Sequence, residues 1–316
     1  MAPHDGEGAA LIADGPPEGR DEPDDKDQTH GLIVPQVGAL DTQASQKFNG
    51  RHAGSDAWLV RGTQPGNFSR IARCLVIQHV VPESPYAIGV ALRAEGIEVD
   101  VCQVFAGDTV PASPSDLDGL VVMGGPMAAY SDDGFPTRRA EVDLIAAAVD
   151  ASIPTLGVCL GAQLLAVATG GAAFAGQAGP EIGWAPVTLS QAADTDALLA
   201  GLRSPLTVLH WHGDTYNTPP GSTVLAGSRL YQHQAFRVGN AAWGLQFHLE
   251  VDHEAVEAFL TAFADEAGAA AAGPDSIRAE APGALAALAP HRTTVLSRFA
   301  SLVASQAVRP HANAST

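Results

Sequence analysis

The amino-acid sequence predicts an α/β fold with a mostly parallel central sheet and helices on both faces. Between Ile71 and about residue 265, short apolar runs alternate with segments whose apolar residues have helical spacing. One run, residues 154–158, passes directly into helical spacing at Leu160 and Leu164. Strands that alternate with helices imply right-handed crossovers, which place parallel strands in one sheet and cover both of its faces.

The first part of this region supplies the start of the predicted sheet. Residues 73–78 are an apolar run, residues 97–105 alternate between apolar and polar, and Gly96 ends the helix between them. A second helix has Ile145 and Val149 on one side. The predicted elements are, in order, strand 73–78, helix 84–96, strand 97–105, strand 120–123, helix 136–151 and strand 154–158.

The later part is richer in strands. Residues 170–190 leave the alternating pattern, and we expect hairpin or loop structure there. Near the end, apolar residues such as Val295 and Phe299 have the spacing of an amphipathic helix, which caps the domain or meets a partner. The predicted segments after residue 190 are a strand-rich region 206–214 that ends in a turn, a second strand-rich region 223–238, strand 243–250, helix 253–266, an Ala/Gly-rich linker 267–275 and helix 291–303.

Residues 1–70 differ in composition from the rest of the chain. They are rich in Asp, Glu, Gly, Pro and Gln, and their apolar residues come singly or in one short run at 31–34. Such a segment buries too little apolar surface to offset its loss of conformational entropy. We therefore predict a disordered extension over residues 1–70, one domain over residues 71–265, and a linker with a capping helix over residues 266–316. A docking arm for a partner and a start codon downstream of Met1 are the alternatives for the extension.

The charge and the cysteine content argue against several classes of protein. The chain of 316 residues has a formal net charge of -18 and only 17 Lys and Arg residues, so it is a poor candidate for binding nucleic acid or an anionic membrane. Its three cysteines lie far apart without a C-x-x-C motif, which indicates neither a disulfide framework nor a thiolate zinc site. We expect free thiols and a cytoplasmic location. No apolar run reaches membrane-spanning length, and the acidic N-terminus lacks the features of a signal peptide.

The join between strand 154–158 and the next helix reads Gly-Val-Cys-Leu-Gly, a G-x-C-x-G pattern around Cys159. This is the form of a nucleophile elbow, in which glycines permit a sharp turn that holds the central residue in a strained, exposed conformation. The N-terminus of the following helix also directs its N–H groups toward the sulfur, which lowers the pKa of a thiol. We predict that Cys159 is a nucleophile. A buried structural cysteine between two packing glycines is the alternative.

A nucleophilic cysteine needs a base, and the base needs an orienting group. His248 and Glu250 are two residues apart in predicted strand 243–250, so both point to one face. Glu250 would then hold the His248 imidazole in one tautomer and stabilise its protonated form. The polar face of a surface strand is the alternative reading of this pair.

Acyl transfer also needs donors for an oxyanion. In an elbow, one donor is the backbone N–H of the residue after the nucleophile, here Leu160. A second donor is expected from the loop after strand 120–123, where Gly124 and Gly125 let the backbone approach a substrate and Pro126 fixes the turn. A plain tight turn is the alternative.

The sequence His-Trp-His-Gly-Asp at residues 210–214 has the composition of a metal site. No third convergent ligand is evident for His210 and His212, and residues 212–214 are better interpreted as a turn after a strand. The sequence therefore predicts no metal site.

Four motifs together resemble the class I glutamine amidotransferase domain, in its stand-alone, GMP-synthase-like branch. They are Val-Met-Gly-Gly-Pro, Gly-Val-Cys-Leu-Gly-Ala-Gln, Trp-His-Gly-Asp and Gly-Leu-Gln-Phe-His-Leu-Glu, and their order and spacing are those of the family. Pro-Glu-Ile-Gly-Trp at residues 180–184 also resembles that branch. The resemblance covers about residues 71 to 265. The chain departs from many members at Ala162 and Leu249, and no synthase domain follows.

The resemblance implies a flavodoxin-like architecture, a catalytic set and no cofactor. Cys159 would be the nucleophile, His248 the general base and acid, and Glu250 its partner. The expected oxyanion donors are Gly125 and Leu160. The expected substrate contacts are Gly124, Gln163, Trp211 and His212, the last two mainly through their backbone.

The resulting expectation is a cysteine hydrolase that releases ammonia from glutamine through a γ-glutamyl thioester. The ammonia would pass to a separate synthetase. The alternatives are a free-standing γ-glutamyl peptidase or hydrolase, a non-catalytic binding module on the same fold, and a cysteine hydrolase of another α/β superfamily. The sequence does not name the acyl acceptor or the pathway.

Overall fold

The computed structural model describes residues 70–307. The predicted disordered extension over residues 1–70 therefore lies outside the described residues, apart from Arg70. The last residues of the chain, 308–316, lie outside them as well.

The described part contains eleven strands and six α-helices. The strands are β1 (Arg73–Gln78), β2 (Glu98–Gln103), β3 (Gly119–Val122), β4 (Thr155–Val158), β5 (Ala172–Ala175), β6 (Glu181–Leu189), β7 (Leu206–His212), β8 (Asp214–Asn217), β9 (Thr223–Gly227), β10 (Ala235–Val238) and β11 (Ala242–Leu245). The helices are α1 (Tyr86–Ala94), α2 (Arg138–Asp150), α3 (Leu160–Ala168), α4 (His253–Ala262), α5 (Ala264–Ala269) and α6 (Gly273–Gln306).

Nine strands form one sheet in the order β2-β1-β3-β4-β11-β10-β9-β6-β7, while β5 and β8 pair separately. The strands from β2 to β11 in this order are parallel to their neighbours, and the pairs from β11 to β7 are antiparallel. The predicted α/β class is confirmed. The antiparallel half contains the later strands, which no α-helix of the described residues connects.

Both faces of the parallel half are covered, as alternate side chains of β1 illustrate. Cys74 and Val76 belong to an apolar cluster with residues of α1 and α6, whereas Leu75 and Ile77 belong to a second cluster with residues of α2 and α3. This follows from the strand geometry, in which successive side chains point to opposite faces. Strands buried on both faces explain why the sequence shows continuous apolar runs there.

The arrangement of β3, β4 and β11 positions the candidate site. Because β4 lies between β3 and β11 and is parallel to both, the carboxyl ends of all three strands meet at one edge of the sheet. Loops at that edge of an open α/β sheet are where ligands bind. Cys159 follows β4, Gly124 follows β3 and His248 follows β11.

Two sequence predictions differ from the structure in this region. Strand 243–250 ends early, because β11 stops at Leu245 and His248 makes only an isolated bridge to Leu209. We predicted that strand geometry would pair His248 with Glu250. The two residues are paired, but the loop after β11 brings them together.

The second difference is the C-terminal helix. Residues 267–275 were predicted as a linker, yet α5 continues to Ala269 and α6 begins at Gly273. Two contributions offset the destabilisation of α6 by its internal prolines. Alanine is the best helix former, and one stripe of the helix is buried through Ile277, Ala281 and Leu288. Among residues 70–307, α6 included, no helix combines the length and the apolar character needed to cross a membrane.

Candidate active site

Cys159 occupies a strained elbow between β4 and α3. Its backbone has φ 52° and ψ −109°, a region that residues with a side chain rarely adopt. The flanking glycines are required by close packing. A Cβ on Gly157 would lie 2.3 Å from the carbonyl oxygen of Gly161, and a Cβ on Gly161 would lie 2.0 Å from that of Val122. The local geometry is therefore that of the predicted nucleophile elbow.

Cys159 is buried, where an exposed residue was predicted, and makes one contact through its backbone and two through its sulfur. Its backbone N–H donates to the carbonyl of Leu245 at 2.8 Å, which ties the elbow to the end of β11. The thiol donates to the carbonyl of Trp211 at 3.6 Å, and Nε2 of Gln246 lies 3.8 Å from the sulfur. The elbow thus brings β4, β7 and the loop after β11 together around one sulfur.

His248 and Glu250 form a buried pair beside this elbow. Nδ1 of His248 lies 2.7 Å from Oε1 of Glu250. A carboxylate can only accept, so the ring N–H donates this hydrogen bond. The ring also packs edge-on against Phe259, with centroids 5.1 Å apart. Nε2 of His248 has no hydrogen-bond partner within residues 70–307, so it is available to exchange a proton with a substrate or a thiol.

Burial and the nearest charged neighbour act in opposite directions on the pKa of Cys159 and on that of His248. Burial raises the pKa of the Cys159 thiol, and the nearby His248 lowers it only in part. Burial lowers the pKa of His248, but the charge of Glu250 and the contact with Cys159 raise it well above its ordinary value overall. The N–H of Leu160 at the helix N-terminus lowers the pKa of this thiol, as predicted, but desolvation outweighs it and the pKa is raised overall.

Hydrogen bonds from buried polar groups hold the loop after β3 in place. Nδ1 of His79 donates to the carbonyl of Gly124 at 2.9 Å, and Nε2 lies 2.7 Å from Glu141, which also accepts from Thr137. A Cβ on Gly125 would lie 2.9 Å from His79 and 3.0 Å from Leu160. Gly125 and Leu160, the two predicted oxyanion donors, are therefore close neighbours, and neither glycine of this loop leaves room for a side chain.

Glu83 is a buried carboxylate that the sequence analysis did not single out. A Cβ on Gly124 would lie 1.9 Å from its Oε2, and that oxygen has no hydrogen-bond partner in the described part of the chain. Burial raises the pKa of Glu83 to about 7, although His248 acts to lower it. No periodic pattern marks Glu83, because it lies in an irregular loop before α1.

Gln246 is a second residue that was not singled out, although it lies within the Gly-Leu-Gln-Phe-His motif. Its Oε1 accepts from Nε2 of Gln163 at 3.2 Å while its own Nε2 faces the Cys159 sulfur. Gln163 is thereby linked to the elbow through Gln246. Both amides are buried, so the pair presents a fixed polar surface next to the thiol.

Trp211 and His212 take different directions from β7. The Trp211 carbonyl reaches Cys159, while its indole donates to Glu266 at 3.0 Å and packs against Phe259. The His212 ring points instead toward Glu181 of β6, with 3.2 Å between Nε2 and Oε2. The Trp211 carbonyl thus lies beside the elbow, the His212 side chain belongs to a separate cluster, and the substrate contacts expected of both stay predictions.

The chain is similar in sequence to known proteins of one family. The family model for class I glutamine amidotransferases matches residues 85–265, which is more than half of the chain. The glutamine amidotransferase-like protein YfeJ of Salmonella typhimurium is 38% identical over 190 residues, covering 58% of this chain and 79% of that protein. One subunit of the glutamine-hydrolyzing GMP synthase of Haloarcula marismortui is 33% identical over 178 residues, covering 54% of this chain and 85% of the relative.

A solved structure gives the same result at the level of the fold. A glutamine amidotransferase of Thermotoga maritima superposes with a TM-score of 0.67 at 29% identity, covering 73% of this chain and 99% of the other. The extent of the family match and the likeness to these proteins support one conclusion. The chain belongs to the class I glutamine amidotransferase family of enzymes.

Proposed function

We propose that this protein hydrolyses the γ-amide of glutamine through a γ-glutamyl thioester on Cys159. The observation that carries the proposal is the strained cysteine elbow next to the buried His248–Glu250 pair, whose Nε2 is free of other partners among residues 70–307. A nucleophile, a base and a group that orients the base are the parts that acyl transfer requires.

In the first half of the reaction, the Cys159 sulfur attacks the γ-carbonyl carbon. The carbonyl oxygen becomes an oxyanion, which the N–H groups of Leu160 and Gly125 stabilise. The Cys159 proton passes to His248 and from there to the amide nitrogen. The carbon–nitrogen bond then breaks, ammonia leaves and the thioester remains.

In the second half, a water molecule attacks the thioester carbon while His248 accepts one of its protons. A second oxyanion forms and collapses, the carbon–sulfur bond breaks, and the proton returns to the sulfur. Glutamate is released and Cys159 is restored. Gly124, Gln163, Trp211 and His212 are the proposed contacts for the substrate, the last two mainly through their backbone.

We further propose that the ammonia is delivered to a separate synthetase protein. The relative from Haloarcula marismortui, 85% of whose length this chain covers, is named as one subunit of a GMP synthase, which supports a divided arrangement of this kind. No nucleic acid and no membrane enters the proposal, and the cytoplasmic location stays a prediction.

The test is ammonia release by the purified protein, with glutamine and a γ-glutamyl peptide offered in parallel. Cys159→Ala should lower turnover by about 10³-fold or more, because the thioester is proposed to form on this sulfur. Cys74→Ala and Cys102→Ala should retain it, since these two thiols bond to the carbonyls of Leu75 and Thr109 and not to the groups around His248.

The outcomes separate the alternatives. Preference for the peptide would replace the glutaminase by a γ-glutamyl hydrolase, and equal loss in all three variants would reject Cys159 as the nucleophile. If neither substrate turns over, a glutamine-like electrophile should still label Cys159. Without labelling, the protein would be a binding module.

A further inference from the structure

Strands β6 and β7 bring three potential ligands to one place. Glu181 pairs with His212 in the antiparallel register, and His210 lies two residues before His212 on the same face of β7. We refer to Glu181, His210 and His212 as the β6–β7 cluster. All three residues are buried. The sequence showed only the two histidines, because the third residue is adjacent only through strand pairing.

The distances in the β6–β7 cluster are those of a tetrahedral metal site. Oε2 of Glu181 lies 3.2 Å from Nε2 of His212 and 3.6 Å from Nδ1 of His210, and one ligand atom from each residue lies within 4.8 Å of the others. Bonds of about 2.0–2.1 Å in a tetrahedral zinc site place ligand atoms about 3.3 Å apart. Octahedral coordination at similar bond lengths would require about 3.0 Å, which is shorter than both measured pairs.

The hydrogen bonds of His212 direct a lone pair toward the carboxylate. Its Nδ1 donates to the carbonyl of Asp214 at 3.0 Å, which leaves Nε2 of the neutral ring as an acceptor. That acceptor faces Oε2 of Glu181 at 3.2 Å, where two lone pairs repel each other, and the hydrogen bond that it accepts from Nε2 of Gln234 is long at 3.4 Å. A cation between them removes the repulsion. A ligating histidine that donates its other N–H to a carbonyl is the usual arrangement around a metal ion.

His210 is not explained by hydrogen bonding. It is 0% exposed, and neither ring nitrogen has a hydrogen-bond partner within residues 70–307. Ser228 and Gln234 donate to Oε2 of Glu181 at 3.0 and 2.6 Å, so Glu181 is fixed in place without help from His210. A buried polar group without a partner costs free energy, which a metal–nitrogen bond would recover.

We propose that Glu181, His210 and His212 bind one Zn²⁺ ion, with a water molecule as the fourth ligand. Two imidazoles and one carboxylate are a ligand set that suits this ion. The ion would cross-link β6 to β7 on both sides of Trp211, whose carbonyl accepts the Cys159 hydrogen bond. Its role is therefore to hold this part of β7 in position, and the proposal does not depend on glutamine hydrolysis.

The test uses the full chain without an affinity tag, stripped of metal and dialysed against Zn²⁺ or Co²⁺. We expect one Zn²⁺ per chain by elemental analysis, and an intense visible Co²⁺ spectrum of the tetrahedral type. Glu181→Gln and His210→Gln should each weaken Zn²⁺ binding by at least about tenfold, since each removes a ligand. His233→Gln is the matched control, because His233 lies outside the cluster and bonds to the carbonyl of Tyr216. Cys159→Ala is the second control and excludes binding by the thiol.

Several results would overturn the proposal. They are substoichiometric Zn²⁺ in the unmodified chain, an octahedral Co²⁺ spectrum, or equal affinity in the cluster variants and the controls. Circular dichroism identifies any variant that does not fold. The Co²⁺ spectrum of the unmodified chain then decides alone, since it needs no substitution.

Discussion

At the scale of single residues, the proton on His248 determines how the proposed chemistry depends on pH. The pKa values of both Cys159 and His248 are raised, so at low pH the pair holds a thiol and an imidazolium. That form has one proton too many to attack a carbonyl. Activity should therefore rise with pH as the pair loses this proton.

Glu250→Gln should move this acid limb to lower pH. The Glu250 charge raises the pKa of His248, so removing that charge lowers the pKa of His248. The maximal rate should fall about 10²-fold or more, because the amide no longer stabilises the imidazolium. The measurement is the pH profile of kcat/KM for ammonia release. Glu257→Gln, at an exposed carboxylate paired with Arg278, is the control and should leave the profile in place. A shift of the limb to higher pH would contradict the assigned role of Glu250.

Glu83→Gln should raise the free energy of unfolding at high pH, because it removes a buried carboxylate. Its pKa rises from 4.5 to about 7 on folding through burial, so the unfolded chain ionises more easily. The stability associated with Glu83 is intact below pH 4.5 and is lost as pH rises toward 7. The variant should thus match the wild type near pH 4.5 and exceed its free energy of unfolding by about 3 kcal/mol at pH 8. Urea unfolding at the two pH values measures this difference, and a gap that is equal at both would refute it.

At the scale of elements, the strand-to-helix elbow depends on backbone contact. Gly161→Ala directs a Cβ to within 2.0 Å of the Val122 carbonyl, so β3 and α3 must separate. We expect a loss of at least about 2 kcal/mol in the free energy of unfolding, together with loss of ammonia release. Gly283→Ala in α6 is the matched control, because its Cβ meets open space and alanine favours a helix by up to about 1 kcal/mol. Equal destabilisation by both, measured by denaturant unfolding, would show that the elbow tolerates a side chain.

The elements also show where prediction from sequence succeeds. Strand 73–78 was predicted with the bounds of β1, and β3 and β4 nearly so, because strands buried on both faces give continuous apolar runs. The edge strand β2 was predicted instead from its alternation of apolar and polar residues. The elbow was evident because Gly157, Cys159 and Gly161 are local in sequence. The positions of Glu83 and Glu181 could not be predicted, because each depends on contacts between segments distant along the chain.

At the scale of the whole molecule, the fold extends beyond the family match. That match ends at residue 265, yet α6 packs along the same sheet. A Cβ on Gly119 of β3 would lie 2.6 Å from Val303 of α6, and Arg298 donates to the carbonyls of Leu198 and Ala200. The C-terminal helix is therefore part of the core. Removing this helix would expose one face of the parallel strands.

Phe299→Ala tests this dependence, because Phe299 is 1% exposed between α6 and the sheet. Truncation of a buried phenylalanine should lower the free energy of unfolding by about 3–5 kcal/mol. If α6 belongs to the same cooperative unit, the near-ultraviolet signal and ammonia release should be lost at the same urea concentration. Leu302→Ala, at a partly buried neighbour on the same helix, should cost less than half as much. An early transition confined to α6, with the elbow still active beyond it, would instead make this helix a separable appendage of the amidotransferase domain.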